Sequence, residues 1–76
     1  MTVTLFVVSG CPLCEEARNW LNSRGITYGE LNVEDDYAAL RQMFKLTRQK
    51  LVPVFKVEDK FAVRPTAKEL DELFAG

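Results

Sequence analysis

Cysteine and histidine are scarce in this sequence, and their scarcity narrows the chemistry it can support. The 76 residues include two cysteines and no histidine. A secreted domain of this length usually carries a framework of about four to eight cysteines, so two cysteines favour a cytoplasmic location. A structural zinc site needs four ligands, mostly cysteine and histidine, so a single chain lacks the residues for one. We therefore expect no metal site.

Long apolar runs and a strong net charge are also missing. No apolar segment approaches the roughly 18 residues that span a membrane, and the apolar start, residues 1–8, lacks the basic residues and cleavage site of a signal peptide. A net charge of -1 gives no reason to expect nucleic acid as a partner. The sequence predicts a single soluble domain over residues 1–76, with a monomer as the default state.

Hydrophobic spacing predicts the element order βαβαββα. Pro12 suits a helix start, Gly25 a helix stop, and Thr66 with Glu69 forms a capping box. This order is typical of an α/β fold with a four-stranded mixed sheet flanked by helices. Predicted strands cover residues 2–8, 27–33, 51–57 and 61–63, and predicted core aromatics are Trp20, Phe44, Phe55 and Phe74.

The segment Cys11-Pro12-Leu13-Cys14 follows the first strand and opens the first helix. A bridge between cysteines so close in sequence restrains almost nothing of the unfolded chain, so it is a poor structural staple. Disulfide exchange needs an accessible thiolate and a second thiol that attacks the mixed disulfide. Cys11, at the positive end of the helix dipole, is the predicted nucleophile. Cys14, beside the apolar helix face, is the predicted buried, resolving thiol.

Two other hypotheses for the cysteine pair stay open. The pair could be two buried structural cysteines without chemistry. It could also belong to a non-catalytic metal or cluster module in which two chains each lend cysteine ligands, together with glutathione.

The segment Ser9-Gly10-Cys11-Pro12-Leu13-Cys14, the later Val52-Pro53-Val54-Phe55 and the element order resemble the glutaredoxin branch of the thioredoxin superfamily over the whole chain. The resemblance implies a thioredoxin-like fold and a cis Val52–Pro53 bond facing the dithiol. It implies that the backbone of Val52 pairs with a substrate peptide or glutathione like an added strand. It also implies a thiol-disulfide oxidoreductase without bound cofactor, which reduces protein or glutathione mixed disulfides in cell redox homeostasis.

Three departures from the glutaredoxin pattern weaken the expected glutathione pocket. Members of that family commonly have a basic residue shortly before the first cysteine, a tyrosine before the second, and a Gly-Gly pair followed by aspartate. This sequence has Val7 or Val8, Leu13 and residues 62–66 in those places. The remaining candidates for glutathione carboxylates are Arg41, Arg48 and Lys50 in a basic stretch, and Thr66 at a helix N-terminus, which favours anions.

The segment Phe61-Ala62-Val63-Arg64-Pro65 resembles instead the Phe-Arg-Pro segment of the NrdH-redoxins. Those proteins are electron carriers that thioredoxin reductase reduces and that donate to ribonucleotide reductase. The sequence therefore leaves both glutathione and a protein reductase open as electron source, and the basic stretch and Arg64-Pro65 as a docking surface. The predicted substrate-binding residues are Pro12, Leu13, Val52, Pro53, Arg64 and Thr66.

Overall fold

The computed structural model describes residues 2–75 and confirms the predicted element order. Met1 and Gly76, which the predicted domain includes, lie outside the described residues. Within the described part of the chain, no helix is long and apolar enough to cross a membrane. The elements are β1 (Val3–Val7), α1 (Pro12–Ser23), β2 (Gly29–Asn32), α2 (Tyr37–Thr47), β3 (Val54–Val57), β4 (Lys60–Val63) and α3 (Ala67–Ala75).

The four strands form one mixed sheet, as the sequence predicts, and their order is β2-β1-β3-β4. Strand β1 runs parallel to β2, and β3 runs antiparallel to both β1 and β4. Helix α1 makes the crossover between the two parallel strands. It packs beside α3, since the ring centroids of Trp20 and Phe74 of α3 are 5.3 Å apart. The Trp20 ring also meets Phe55 of β3 edge-on, with the ring centroids 6.2 Å apart.

The aromatic core is smaller than the sequence predicts. Phe55 is 1% exposed, and Trp20 and Phe74 are partly buried against the core, but Phe44 is 40% exposed, so its predicted core position is wrong. The buried stripe of α2 runs through Ala39, Met43 and Thr47 instead. Phe44 follows Met43, so it lies about 100° around the helix, away from the sheet.

Strand β1 loses one residue at each end of its predicted range, and two further strands are shorter than predicted by three residues each. Strand β3 begins at Val54 and not at residue 51, because Pro53 has no N–H to donate to the ladder. The predicted strand over residues 27–33 contracts to Gly29–Asn32, the four residues that pair with β1. Both corrections move chain out of the sheet and into the loops at its ends.

Helix ends follow the predicted signals. Pro12 occupies the first turn of α1, and Gly25 follows that helix with φ +66, a conformation that glycine adopts without steric cost. Helix α2 ends differently, since Arg48 takes the left-handed conformation at φ 61 where glycine is the usual residue.

Candidate dithiol site

The sheet register brings three distant loops to one end of the molecule. Phe6 of β1 pairs with Val54 at the start of β3, and Val54 pairs with Val63 at the end of β4. The loop after β1, the loop before β3 and the loop after β4 therefore meet at the same edge. These loops contain the cysteine pair, the Val52–Pro53 bond and Arg64, respectively.

Cys11 is the N-cap residue of α1. Its backbone is extended, and its Sγ accepts a hydrogen bond from the Cys14 N–H at 3.1 Å. An N-cap side chain normally supplies an oxygen to the unpaired N–H groups of the first turn. Here the sulfur takes that place, so a thiolate on Cys11 meets both a donor and the positive end of the helix dipole.

Cys14 lies one turn further along α1 and is fully buried, whereas Cys11 is partly exposed. Both are free thiols in this structure. The asymmetry agrees with the expectation that a partner reaches Cys11 first. Disulfide exchange through two thiols needs a second thiol that attacks the mixed disulfide formed by the first.

The two thiols have opposite pKa shifts. Partial burial raises the pKa of Cys11, but hydrogen bonds from Cys14 and Leu13 and the charge of Arg64 outweigh it, so the pKa falls below its ordinary 9.0. Burial, followed by the hydrogen bond with Cys11, raises the pKa of Cys14 to about 11. Cys11 is therefore the stronger acid and Cys14 the proton-bearing partner.

Arg18, the basic residue nearest to the cysteines in sequence, is held by carboxylates. Its Nε and Nη2 donate to Glu30 of β2 at 2.8 and 3.1 Å, and its Nη1 donates to Glu15 at 3.0 Å. These hydrogen bonds, the one to Glu30 above all, hold the pKa of Arg18 above its ordinary value. The two carboxylates offset much of the positive charge that Arg18 brings to the dithiol.

The Val52–Pro53 peptide bond is cis, as the resemblance implies. Val52 and Pro53 are both buried, and each of their carbonyls accepts a hydrogen bond from Arg64. The Arg64 Nε donates to the Val52 carbonyl at 2.7 Å, and the Arg64 N–H donates to the Pro53 carbonyl at 3.0 Å. Arg64 thus ties the loop after β4 to the loop before β3.

The predicted capping box at α3 is confirmed. The Thr66 N–H donates to the Glu69 carboxylate at 2.9 Å, and the Glu69 N–H donates to the Thr66 hydroxyl at 3.2 Å. The Glu69 carboxylate therefore lies at the same helix N-terminus that was predicted to bind an anionic ligand. Since this carboxylate repels a second anion and occupies the Thr66 N–H, the geometry speaks against an anion-binding role for Thr66.

An apolar groove of about 410 Å³ opens beside the dithiol, between α1 and α3. Leu13, which is 44% exposed, and Pro53 lie in its wall, so the groove is continuous with the candidate site. Glu16 and Trp20 also line this wall, which the sequence did not predict. Helical spacing placed Trp20 on the apolar face of α1, but could not show that this face extends beyond the core.

The predicted substrate-binding residues do not all reach one surface. Leu13, Pro53 and Arg64 line the groove, whereas Val52 lies behind it with its carbonyl bonded to Arg64. Pro12 is exposed in the first turn of α1. Within residues 2–75, no three His, Cys, Asp or Glu side chains come together as a group that could hold a metal ion.

Comparison with known proteins places the chain in a family. Residues 3–62 match the glutaredoxin family model. The chain belongs to the glutaredoxin family. A curated relative from Clostridium pasteurianum, described as an uncharacterized glutaredoxin-like 8.6 kDa protein in a rubredoxin operon, is 28% identical over 71 residues, which cover 93% of this chain and 95% of the relative.

Solved structures confirm the thioredoxin-like fold of this glutaredoxin. The glutaredoxin from Archaeoglobus fulgidus superposes with a TM-score of 0.86 at 20% identity, covering 97% of this chain and 86% of the other. The NrdH-redoxin from Escherichia coli, a glutaredoxin-like protein with a thioredoxin-like activity profile, superposes with a TM-score of 0.73 at 19% identity. The superposition covers 83% of this chain and 82% of the NrdH-redoxin chain. At these identities the likeness establishes the fold alone.

Proposed function

We propose that this glutaredoxin reduces protein or glutathione mixed disulfides through Cys11 and Cys14. The observation that carries the proposal is the N-cap position of Cys11. There its partly exposed Sγ accepts the Cys14 N–H at 3.1 Å, while Cys14 itself is fully buried. A stabilised, reachable thiolate above a buried thiol is the arrangement that two-step disulfide exchange requires.

The reaction proceeds in two displacements. The Cys11 thiolate attacks one sulfur of the substrate disulfide, a Cys11–substrate mixed disulfide forms, and the other substrate sulfur leaves as a thiolate and takes up a proton. Cys14 then loses its proton and attacks the Cys11 sulfur, which releases the second substrate thiol and leaves a Cys11–Cys14 disulfide. Two electrons pass from the dithiol to the substrate, and an external thiol reductant returns them.

The pKa order supports this assignment of roles. Cys11, with its pKa below 9.0, supplies more thiolate at neutral pH than an ordinary cysteine. Cys14, with its pKa at about 11, keeps its proton until the first step has consumed the thiolate beside it. The negative charge on Cys11 contributes to that raised pKa, so formation of the mixed disulfide favours deprotonation of Cys14.

Substrate contacts in this proposal come from the loops around Cys11. The Val52 backbone pairs with the extended substrate next to the attacked cysteine, as in β-strand addition. Its carbonyl already accepts from Arg64, so its N–H is the main group that remains for pairing. Leu13 and Pro53 provide apolar contact at the mouth of the groove.

A second candidate is an electron carrier of the NrdH type, which thioredoxin reductase reduces and which donates to ribonucleotide reductase. Two features favour it over glutathione-dependent turnover. The Glu69 carboxylate occupies the N-terminus of α3, and Arg64 occupies the Val52 carbonyl. Both bonds use groups on the surface of the expected glutathione pocket, where the sequence already departs from the glutaredoxin pattern.

Cysteine variants test the proposed chemistry. Cys11→Ser should abolish reduction of a peptide mixed disulfide, and Cys14→Ser should accumulate a covalent adduct on Cys11 that intact-mass spectrometry detects. Full dithiol turnover by the Cys11→Ser protein would overturn the assignment. A protein that binds iron or zinc between two chains, and shows no turnover, would support the metal or cluster module instead.

Two coupled NADPH assays separate the electron sources. One reduces the oxidised protein with glutathione and glutathione reductase, and the other with thioredoxin reductase. Faster reduction through glutathione supports glutathione-dependent turnover, and faster reduction through thioredoxin reductase supports the carrier. Charge reversal at Arg48 and Lys50 then tests the basic stretch as a docking surface for the protein reductase.

A further inference from the structure

Arg64 holds its guanidinium in a defined position beside the dithiol. The backbone N–H of Arg64 is bonded to the Pro53 carbonyl, and its side-chain Nε is bonded to the Val52 carbonyl. The guanidinium is planar with five N–H donors, so a bond from Nε leaves the end-on pair of Nη groups in the same plane as donors. Among residues 2–75, no carboxylate or carbonyl accepts from those Nη groups.

Arg64 is exposed at the wall of the apolar groove that Leu13 and Pro53 also line. Its positive charge is one of the causes that lower the pKa of Cys11. A substrate that extends from Cys11 past Leu13 into this groove lies along Arg64.

The neighbouring charges make Arg64 the main anion receptor of this groove. Arg18 is already bonded to Glu15 and Glu30, and the N-terminus of α3 is occupied by Glu69. Glu16 is the other charged residue in the groove wall, and it repels an anion. Arg64 therefore attracts a bound carboxylate, and Glu16 repels it.

We infer that Arg64 recognises a carboxylate on the disulfide substrate, next to the attacked sulfur, and that this glutaredoxin prefers acidic disulfides. The planar guanidinium fork matches a carboxylate with two parallel N–H···O bonds, a geometry that lysine cannot reproduce. The inference rests on the proposed disulfide reduction and adds the substrate class to it. We assign the carboxylate to an acidic residue beside a substrate cysteine, and the test separates this source from glutathione.

Peptide mixed disulfides test the preference directly. Two peptides that differ only in Glu or Gln beside the cysteine are blocked with 2-mercaptoethanol, which carries no carboxylate, and kcat/KM is measured for each. The native protein should reduce the Glu peptide about two- to fivefold faster, the range expected for one exposed ion pair. Arg64→Gln should bring this ratio to about one, and Arg64→Lys should restore part of it.

Two further variants test whether the Glu-to-Gln ratio of kcat/KM depends on the charges in the groove. Lys60→Gln removes the same charge at the far end of β4, where Lys60 pairs with Val57, and should leave the ratio unchanged. Glu16→Gln removes the repelling carboxylate and should increase the ratio. Using a ratio cancels any change that Arg64→Gln makes to the reactivity of Cys11 itself.

A second pair of substrates identifies the source of the carboxylate. A neutral peptide is blocked with glutathione or with glutathione diethyl ester, and the same ratio is measured. Loss of preference in Arg64→Gln for the Glu peptide supports the inference, whereas loss only for free glutathione over its ester would overturn the acidic polypeptide as the source. Equal rates for both members of each pair in the native protein would overturn the inference and leave the proposed function intact. Failure to reduce any of the four substrates would instead contradict the proposed function.

Binding without turnover gives an independent readout. Trp20 is the single tryptophan and lies in the groove wall, so its fluorescence responds to occupancy of the groove. S-methylated versions of the Glu and Gln peptides should titrate this signal with a lower Kd for the Glu peptide, and this difference should weaken in 0.5 M salt as exposed charge pairs are screened. Equal Kd values that do not respond to salt would contradict recognition by Arg64.

Discussion

The backbone N–H of Cys14 donates to the Sγ of Cys11 at 3.1 Å, so the proposed nucleophile caps the helix that carries its partner. One turn of α1 therefore separates a partly exposed sulfur from a fully buried one. The donor stabilises negative charge on Cys11 without a histidine or an adjacent lysine, neither of which the site contains. The different roles proposed for the two thiols follow from this local geometry.

The pH dependence of alkylation should separate the two thiols. Only the thiolate reacts, so the rate rises with pH until the group is deprotonated, and a lower pKa moves that rise to lower pH. Cys11 should reach half its maximal rate below pH 9.0 and Cys14 near pH 11. Iodoacetamide labelling of the reduced protein, followed by peptide mass spectrometry, measures both midpoints. A Cys11 midpoint at or above 9.0 would contradict the stabilising role of the N-cap position.

The capping box at α3 should contribute measurably to stability. Thr66→Ala removes the oxygen that accepts the Glu69 N–H, and we expect the free energy of unfolding to fall by about 0.5–2 kcal/mol. Urea denaturation followed by Trp20 fluorescence checks this. Thr27→Ala, at an exposed threonine outside the helices and strands, is the matched control and should change stability by no more than about 0.5 kcal/mol.

A single substitution at the end of α2 should stabilise the protein. Arg48 adopts φ 61, a conformation that costs a non-glycine residue about 1–2 kcal/mol. Arg48→Gly should therefore raise the free energy of unfolding, by about 0.5–1 kcal/mol after the entropy cost of glycine is subtracted. The same replacement at Arg41, in the middle of α2, should lower it by about 1 kcal/mol. Equal effects at the two positions would argue against the left-handed end at Arg48.

Two phenylalanine variants test the corrected core. Phe55 is 1% exposed and Phe44 is 40% exposed. Phe55→Leu should lower the free energy of unfolding by about 1–1.5 kcal/mol, because its rigid neighbours cannot fill the lost volume. Phe44→Leu should change it by less than about 0.5 kcal/mol. Thermal denaturation of both variants in parallel decides whether α2 is oriented as described.

Features that depend on neighbouring residues were predictable from the sequence. Cysteine spacing, a proline in the first turn and Thr66 followed by Glu69 each act within one helical turn, so the pattern itself indicates the geometry. The capping box and the buried position of Cys14 are both confirmed. The orientation of α2 was harder to predict from the sequence. Phe44 and Met43 are adjacent apolar residues, and spacing alone did not decide which one faces the sheet.

The sequence by itself determined the dithiol, the order of strands and helices and the caps, since these rest on local propensity and on hydrophobic period. Only the tertiary structure decided that Arg64, fifty-odd residues after the cysteines, bonds to the Val52 carbonyl beside them. That contact exists because antiparallel pairing of β3 with β1 and β4 brings three loops to one sheet edge. Long-range contacts of this kind depend on strand register, which local sequence patterns do not encode.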